Sequence, residues 1–348
     1  MAANKVTFGQ TKDGREAHLI TLTNKNGMRA DVTDYGATLV SLFAPDKAGN
    51  MADIIWGFNH VSGYENSKAF FGSTVGRHAG RIKHGAYSIN GKDYQLVIND
   101  RGHTVHGGPD SFHSRLFHIE SLSENHVVFT YLSPDGEAHF PGNLQVTVTY
   151  RLLDDNSLCI DFDGQSDADT ILSMTNHAYF NLDGPGSPSI LDHQFKVPAE
   201  TYTEVTAEGL PTGRLLPVDG TPYDFREFQA IGARIHEPEE GLVFCDGYDH
   251  TFVIAPEKFE DMRLSCEVKN STGTRHLQLF TNQPGLQFYT GNYLNGTEQG
   301  KDGSFFGRQS ALCIEPQIFA DALNHPHFPS PILKAGETYC YRSIYKFI

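Results

Sequence analysis

The chain has 348 residues, with 27 basic and 42 acidic side chains, which gives a formal net charge of −15 at neutral pH. This acidic balance argues against a nucleic-acid partner or an anionic membrane surface, because phosphate binding needs a basic surface. A composition of 39% hydrophobic and 20% charged residues is that of a folded globular protein, and 34 glycines and 17 prolines argue against a long helical bundle.

Apolar and polar residues alternate with a period of two along much of the chain, which predicts half-buried strands. In chain order, the clearest strand segments are 18–23 with 28–32, 86–96 around an Asn90-Gly91 turn, 127–132, 144–152 with 158–162, 277–280, 286–290 and 339–345. Short helices are predicted only around 228–235 and 318–323. Strands without intervening helices imply antiparallel pairing, so we predict an all-β sandwich or barrel that forms one domain over residues 1–348.

The cysteines and the N-terminus indicate the compartment. Five cysteines are spread through the chain without CxxC spacing, which argues against a disulfide framework or a zinc site. The first residues lack the apolar stretch of a signal peptide, and no segment approaches the roughly 18 apolar residues of a membrane helix. We therefore expect a cytoplasmic protein without membrane contact.

Several segments place ionisable residues inside otherwise apolar runs, where such a group is costly unless it is partnered or functional. His177 follows a strand-like run, Glu315 ends an apolar strand, and Asp249 stands among aromatic residues. Each is alternatively a satisfied polar group of the core. The 24 Phe and 15 Tyr mainly supply a β-sheet core, but aromatic walls beside polar groups also suit a sugar.

The common motifs for phosphate binding, serine hydrolysis and metal binding are missing. The sequence has no P-loop, no strand–GxGxxG–helix unit and no Gly-x-Ser-x-Gly. His103 and His106, and His325 and His327, are closely spaced, but no HExxH accompanies them. We expect neither a metal ion nor an organic cofactor.

Taken together, these segments resemble the galactose mutarotases, the aldose 1-epimerase family. The resemblance covers nearly the whole chain, through residues 34–39, 76–82, 105–108, 140–144, 175–182, 247–250, 287–292, 315, 324–331 and 336–339. It implies a single large antiparallel β-sandwich, the mutarotase supersandwich. It also implies cofactor-free interconversion of the α and β anomers of a free aldohexose, galactose or glucose. We expect a monomer or a homodimer.

The resemblance further assigns site residues. Glu315 matches the family's base and His177 its acid, Tyr179 lies near the acid, and the positions that match sugar contacts are Arg81, His106, Asp249 and Gln287. Gly80 departs from the pattern, since many members have Asn before the arginine, and this bears on affinity or hydroxyl preference. The resulting hypothesis is that Glu315 takes the C1 hydroxyl proton while protonated His177 gives one to the ring oxygen.

Three alternatives remain open at this point. A glycoside hydrolase would use Asp249 and Glu315 as its carboxylate pair. A non-catalytic carbohydrate-binding β-sandwich would use the same cavity without turnover. A hexose-6-phosphate epimerase would need a basic cluster for the phosphate beyond Arg77 and Arg81.

Overall fold

Antiparallel strands dominate the computed structural model, which describes residues 4–184, 186–255, 257–258 and 260–348. The N-terminal sheet has five strands in sequential order: Asn4–Gln10, Glu16–Thr23, Arg29–Thr33, Thr38–Pro45 and Met51–Asp53. The large sheet has nine, in spatial order: His118–Leu122, His126–Ser133, Leu144–Leu152, Ser157–Ser166, Thr338–Phe347, His276–Thr281, Arg263–Lys269, Gln194–Lys196 and Gln229–Ala230. The cavity sheet has five: Pro211–Pro217, Thr201–Val205, Asp249–Val253, Gly285–Tyr289 and Cys313–Gln317.

Short strand pairs connect these sheets. They are Ala86–Ile89 with Lys92–Gln95, Arg81–Ile82 with Thr104–Val105, Thr170–Ile171 with Ile332–Leu333, Thr74–Val75 with Thr175–Asn176, and Ile55–Trp56 with Tyr179–Phe180. The described residues form two α-helices, Val61–Asn66 and Glu240–Cys245. Short 3-10 helices occur at Lys83–Gly85, Phe112–Ser114, Glu137–His139, Ile231–Ala233 and Ala322–Asn324. Within the described ranges, no helix combines the length and apolar character that crossing a membrane requires.

The all-β antiparallel prediction is confirmed, and so are its main hairpins. Leu144 pairs with Ser166 and Leu152 with Leu158, which closes the hairpin predicted over 144–162. Lys92 pairs with Ile89 across the Asn90-Gly91 turn, where both turn residues have the positive φ that Asn and Gly tolerate.

The helix predictions at 228–235 and 318–323 are wrong. Residues 229 and 230 pair as a strand with Gln194 and Phe195, and a 3-10 helix follows at Ile231–Ala233. The second segment turns at Asp321, which has a left-handed φ of 54°, and only the 3-10 helix Ala322–Asn324 follows. Both segments are too short for intrinsic propensity to outweigh these tertiary contacts.

One apolar cluster draws residues from all three sheets. In the large sheet, alternate residues of one strand, Val146, Val148 and Tyr150, are completely buried in it. Phe195 of that sheet stacks on Phe288 of the cavity sheet with ring centroids 4.0 Å apart. Truncating such a buried aromatic side chain to alanine typically costs about 3–5 kcal/mol of stability. The cavity sheet is therefore held firmly from behind.

The two faces of the cavity sheet have opposite chemistry because side chains alternate along each strand. Phe252, Leu286, Phe288 and Ile314 point into the apolar cluster. Their neighbours on the other face line a cavity: Asp249, Thr251, Gln287, Tyr289, Glu315 and Gln317. Because of this alternation, one face of the cavity sheet belongs to the apolar core and the opposite face forms the polar floor of the cavity.

Candidate active site

The polar floor belongs to a cavity with a volume of about 1260 Å³, which is ample for a monosaccharide. The structure places all seven residues singled out from the sequence in its lining: Arg81, His106, His177, Tyr179, Asp249, Gln287 and Glu315. The rings of Phe70 and Tyr289 line it as well. Aromatic rings beside hydrogen-bonding groups suit the apolar faces and hydroxyl edge of a sugar.

Glu315 and His177 meet although 138 positions separate them in the sequence. His177 Nε2 lies 3.7 Å from Glu315 Oε1, and the two residues are 5% and 2% exposed. Glu315 Oε2 has no hydrogen-bond partner among the described residues. An unpartnered buried carboxyl oxygen is unusual, which marks Glu315 as a candidate for contact with a ligand.

Burial moves both pKa values in the direction that favours neutral groups. Burial, reinforced by the negative charge of Asp249, raises the pKa of Glu315 well above its usual value. Burial lowers the pKa of His177 to about 4. Burial thus favours the uncharged form of each group, and the imidazole of His177 is neutral near pH 7 while the cavity is free.

The backbone around His177 is fixed by a short strand pair. His177 N donates to Ser73 O at 2.9 Å, and Gly72 N donates to His177 O at 2.9 Å. The preceding Asn176 donates from Nδ2 to Gly72 O at 2.6 Å. The imidazole packs near the ring of Tyr179, with centroids 5.1 Å apart, while its Nδ1 lies 3.6 Å from Cys313 Sγ. These contacts hold Nε2 toward the cavity.

His106 owes its place to a strained turn. Its φ is 52°, and a Cβ at the following Gly107 would lie 2.1 Å from Gly76 O, so only glycine fits there. Gly80 N donates to His106 Nδ1 at 3.3 Å. Burial, reinforced by the nearby positive groups, holds the pKa of His106 well below its usual value. The neutral ring therefore carries its hydrogen on Nε2.

Arg81 carries a fixed positive charge held by two carboxylates. Its Nε donates to Asp100 Oδ2 at 2.8 Å, and its NH1 lies 3.4 Å from Asp249 Oδ2. Although burial alone would lower the pKa of Arg81, these carboxylates raise it above its usual value. Asp321 N donates to Arg81 O at 2.8 Å, so the turn at Asp321 braces this segment from outside.

Asp249 is restrained on both oxygens. Besides the arginine on Oδ2, it accepts at Oδ1 from Gln287 Nε2 at 2.7 Å. Gln287 Oε1 in turn accepts from the Thr251 hydroxyl at 2.6 Å. The network follows the strand register, because Thr251 pairs with Gln287 and Gln287 with Glu315 across three adjacent strands.

His106, His177 and Glu315 form the donor set in this site that suits a metal ion. Their ligand atoms lie within 4.8 Å of one another. Two neutral imidazoles and a carboxylate are a chemically suitable set for a divalent transition metal, although four-coordinate zinc needs closer ligands. The sequence had not suggested this grouping, because its three members come from unrelated segments.

Comparison with known proteins decides the family. The family model for aldose 1-epimerase matches residues 18–346. The chain belongs to the aldose 1-epimerase family. It is accordingly an isomerase that interconverts the anomers of an aldose.

Curated relatives and solved structures agree with this membership. The galactose mutarotase of Homo sapiens is 38% identical over 346 residues, covering 99% of this chain and 98% of the relative. The aldose 1-epimerase of Escherichia coli is 34% identical over 338 residues, with 97% and 96% covered. A solved aldose epimerase homologue from C. elegans has a TM-score of 0.87 at 30% identity, covering 95% of this chain and 99% of that chain. The solved galactose 1-epimerase of Lactobacillus acidophilus has a TM-score of 0.85 at 27% identity, with 99% and 98% covered.

Several residues of this cavity were not predicted from the sequence. Asp100 anchors Arg81, and Phe70, Tyr289 and Gln317 line the cavity. Gln317 was within reach of sequence reasoning, since it stands two residues after Glu315 and alternate residues of a strand share a face. Asp100 and Phe70 lie in loops, where no periodic pattern marks them.

Proposed function

We propose that the substrate is a free aldohexose such as galactose or glucose, and that Glu315 and His177 carry the protons during ring opening and closure. The observation that carries this proposal is the buried carboxyl–imidazole pair, 3.7 Å apart in a sugar-sized cavity. Mutarotation removes a proton from the C1 hydroxyl and adds one to the ring oxygen O5, so it needs a base and an acid within reach of neighbouring oxygens.

The proton balance closes with these two groups alone. The Glu315 carboxylate takes the O1 proton, the C1–O5 bond breaks as C1=O1 forms, and the His177 imidazolium gives its Nε2 proton to O5. The aldehyde end then rotates about C1–C2. Glu315 now returns its proton to O1, His177 recovers one from O5, and the ring closes on the other face of C1.

The pair must pass through its ionised form to begin this sequence. The carboxylate–imidazolium and carboxylic acid–imidazole forms contain the same single proton, so substrate binding only redistributes it. Sugar hydroxyls replace water around the charges as the cavity fills, and the charged form gains hydrogen bonds that the free cavity lacks.

Arg81 and His106 supply fixed donors for the oxygen atoms. The guanidinium keeps its positive charge at any working pH, and the neutral His106 ring offers its Nε2 hydrogen. Asp249, held by Arg81 and Gln287, accepts hydroxyl hydrogens and orients the ring. This double restraint on Asp249 disfavours the hydrolase alternative, in which Asp249 would be a free nucleophile or base.

The two arginines that the sequence offered for a phosphate, Arg77 and Arg81, do not support a phosphorylated substrate. Arg77 is 1% exposed and its guanidinium is engaged by Ser133, Pro141, Gly142 and Thr170. Arg81 is paired with two carboxylates. Neither is free for a phosphate group, which favours an unphosphorylated aldose.

The compartment, the domain organisation and the oligomeric state are the remaining points of the proposal. We infer a cytoplasmic protein, in keeping with five free cysteines, of which four are buried. We further infer a single domain over residues 1–348, in keeping with the apolar cluster that spans the three sheets. Monomer and homodimer remain alternatives that sedimentation of the purified protein separates.

The decisive experiment is polarimetry of freshly dissolved α-galactose, α-glucose and glucose 6-phosphate, with the spontaneous rate subtracted. We expect the protein to accelerate equilibration of the two free sugars far more than that of the phosphate. Sugar binding without acceleration would support the binding-module alternative instead. Release of reducing sugar from an aryl galactoside would support the hydrolase.

A further inference from the structure

Gln317 is a buried amide in the cavity wall whose hydrogen-bonding groups are unused. It lines the cavity and is 0% exposed, and neither Nε2 nor Oε1 has a partner among the described residues. A primary amide offers two donor hydrogens and two acceptor lone pairs. Since leaving such a group unpaired is costly, its position calls for a partner from outside the protein.

The strand geometry places this amide beside the reacting groups. Gln317 follows Glu315 by two residues and shares its face, so the two Cα atoms are roughly 7 Å apart. Across the sheet, Gln317 pairs with Gly285, which has no side chain to offer a hydrogen bond. A group bound at Glu315 through O1 therefore extends to within reach of Gln317 if it is as large as a pyranose.

Gly80 has no side chain, and the space beside it is occupied by the Gln317 amide. Its φ is 78°, and a Cβ built on it would lie 3.1 Å from Gln317 Nε2 and 2.9 Å from the Cβ of Ala320. A side chain at position 80 would thus displace the Gln317 amide or strain the turn. The absence of a side chain at Gly80 is therefore what allows the unpaired Gln317 amide to occupy its position.

We propose that Gln317 is a sugar-binding residue whose amide hydrogen-bonds an aldose hydroxyl other than O1. This inference rests on the proposed function, because it takes the sugar to lie with O1 at Glu315. A hydroxyl both donates and accepts, as the amide does, so one hydroxyl can engage either orphaned atom. The contact is remote from C1 and O5, so it contributes equally to ground-state and transition-state binding and affects KM rather than kcat.

The test compares Gln317→Met with the unaltered protein on galactose and its 2-, 3-, 4- and 6-deoxy derivatives. Met keeps the length of the side chain but cannot replace the amide hydrogen bonds. We expect KM for galactose to rise about tenfold with kcat nearly unchanged. One deoxy sugar, which lacks the contacted hydroxyl, should show nearly the same KM with both proteins. The matched control is Gln283→Met, a buried amide (2% exposed) that bonds Tyr339 outside the cavity, and its KM should not change.

Two outcomes overturn the proposal. One is an unchanged KM for galactose in the Gln317 variant. The other is an equal rise for galactose and every deoxy sugar, which indicates altered packing of the wall. If Gln317→Met fails to fold, Gln317→Asn takes its place, because it keeps the amide but holds it one methylene short of its position. One deoxy sugar must then show the same KM with Gln317→Asn as with the unaltered protein. Failure of the proposed function would appear separately, as no acceleration by the unaltered protein.

Discussion

Replacing Glu315 by Gln tests the proton-transfer proposal most directly, because the change keeps the shape of the side chain and removes its basicity. Glu315 is 2% exposed, and its Oε2 has no partner among the described residues. Its amide counterpart therefore breaks no protein hydrogen bond at that atom. Since burial already favours the neutral form of this group, we expect stability to change by no more than about 1 kcal/mol.

The kinetic effect should be far larger than the effect on stability. A positioned general base typically contributes about 10²–10⁴-fold, which corresponds to roughly 2.7–5.5 kcal/mol of barrier at 1.36 kcal/mol per decade. The loss should fall on kcat, because binding of the sugar by Arg81, Asp249 and Gln287 remains. Polarimetry of α-galactose with the spontaneous rate subtracted measures it, and thermal unfolding checks the fold.

The matched control is Glu298→Gln, which alters a half-buried carboxylate that also lines the cavity but is outside the proton-transfer pair. Its rate should match that of the unaltered protein. A Glu315→Gln variant that retained more than about a tenth of the kcat would refute the assignment of Glu315 as the base. A similar loss in both variants would point to a general effect of cavity charge.

Further predictions follow from the same geometry. His177→Asn should lower kcat about 10²–10⁴-fold while sugar binding, followed by calorimetry, persists; a near-normal kcat would remove His177 from the reaction. Because burial lowers the pKa of His177 to about 4, the rate of anomer interconversion should stay constant as the pH is lowered through 6.5. It should decline only near pH 4, where the Glu315–His177 pair takes up a further proton. A decline centred on pH 6.5 would contradict this. The pKa values of His78, His193 and His250 are likewise lowered to about 4 by burial, below the unfolded value near 6.5. Between pH 6.5 and 4 the unfolded chain binds more protons than the folded one, so the free energy of unfolding should decrease as the pH is lowered, by up to about 1.4 kcal/mol per pH unit for each histidine. The raised pKa of Glu315 opposes this loss in part. Melting temperatures from pH 7 to 4.5 measure the slope, and a flat series would contradict it. Zn²⁺ should inhibit by occupying the proton-transfer groups, whereas EDTA should leave the rate unchanged; loss of activity in EDTA that Zn²⁺ restores would overturn the metal-free mechanism.

Local patterns in the sequence predicted the strands of the large sheet's central hairpins, because a strand facing a core shows its period in five or more residues. They did not predict the strands Asn4–Gln10, Thr201–Val205 and Pro211–Pro217. The hairpins were also clear, since Asn90-Gly91 needs no distant partner to form its turn. The α-helix Glu240–Cys245 escaped prediction because it has only six residues and includes Gly241. What holds its start is a tertiary detail: the Glu239 side chain accepts from Leu242 N and also contacts Tyr223.

The candidate site was identified from the sequence only as a set of separate positions. Ionisable residues within apolar runs marked His177, Asp249 and Glu315, and the family resemblance joined them. Neither could give the 3.7 Å approach of the pair or the preference for uncharged groups that burial imposes. Those depend on the pairing of Thr74–Val75 with Thr175–Asn176 and on the register of the cavity sheet, which are long-range contacts.

The burial of Glu315 and His177 bears on how two ordinary side chains would open the sugar ring under the proposed mechanism. In water, a glutamate and a histidine near neutral pH would be a carboxylate and a mostly neutral imidazole, and nothing would tie their protons together. In the cavity, burial raises the pKa of Glu315 and lowers that of His177, so it disfavours a lone charge on either group. Under the proposed mechanism the two groups would exchange one proton with each other, in step with a substrate that gives up one proton and takes one back. Under that mechanism Asp249, which is restrained by Gln287 and Arg81, would hold the sugar so that O1 and O5 face the pair.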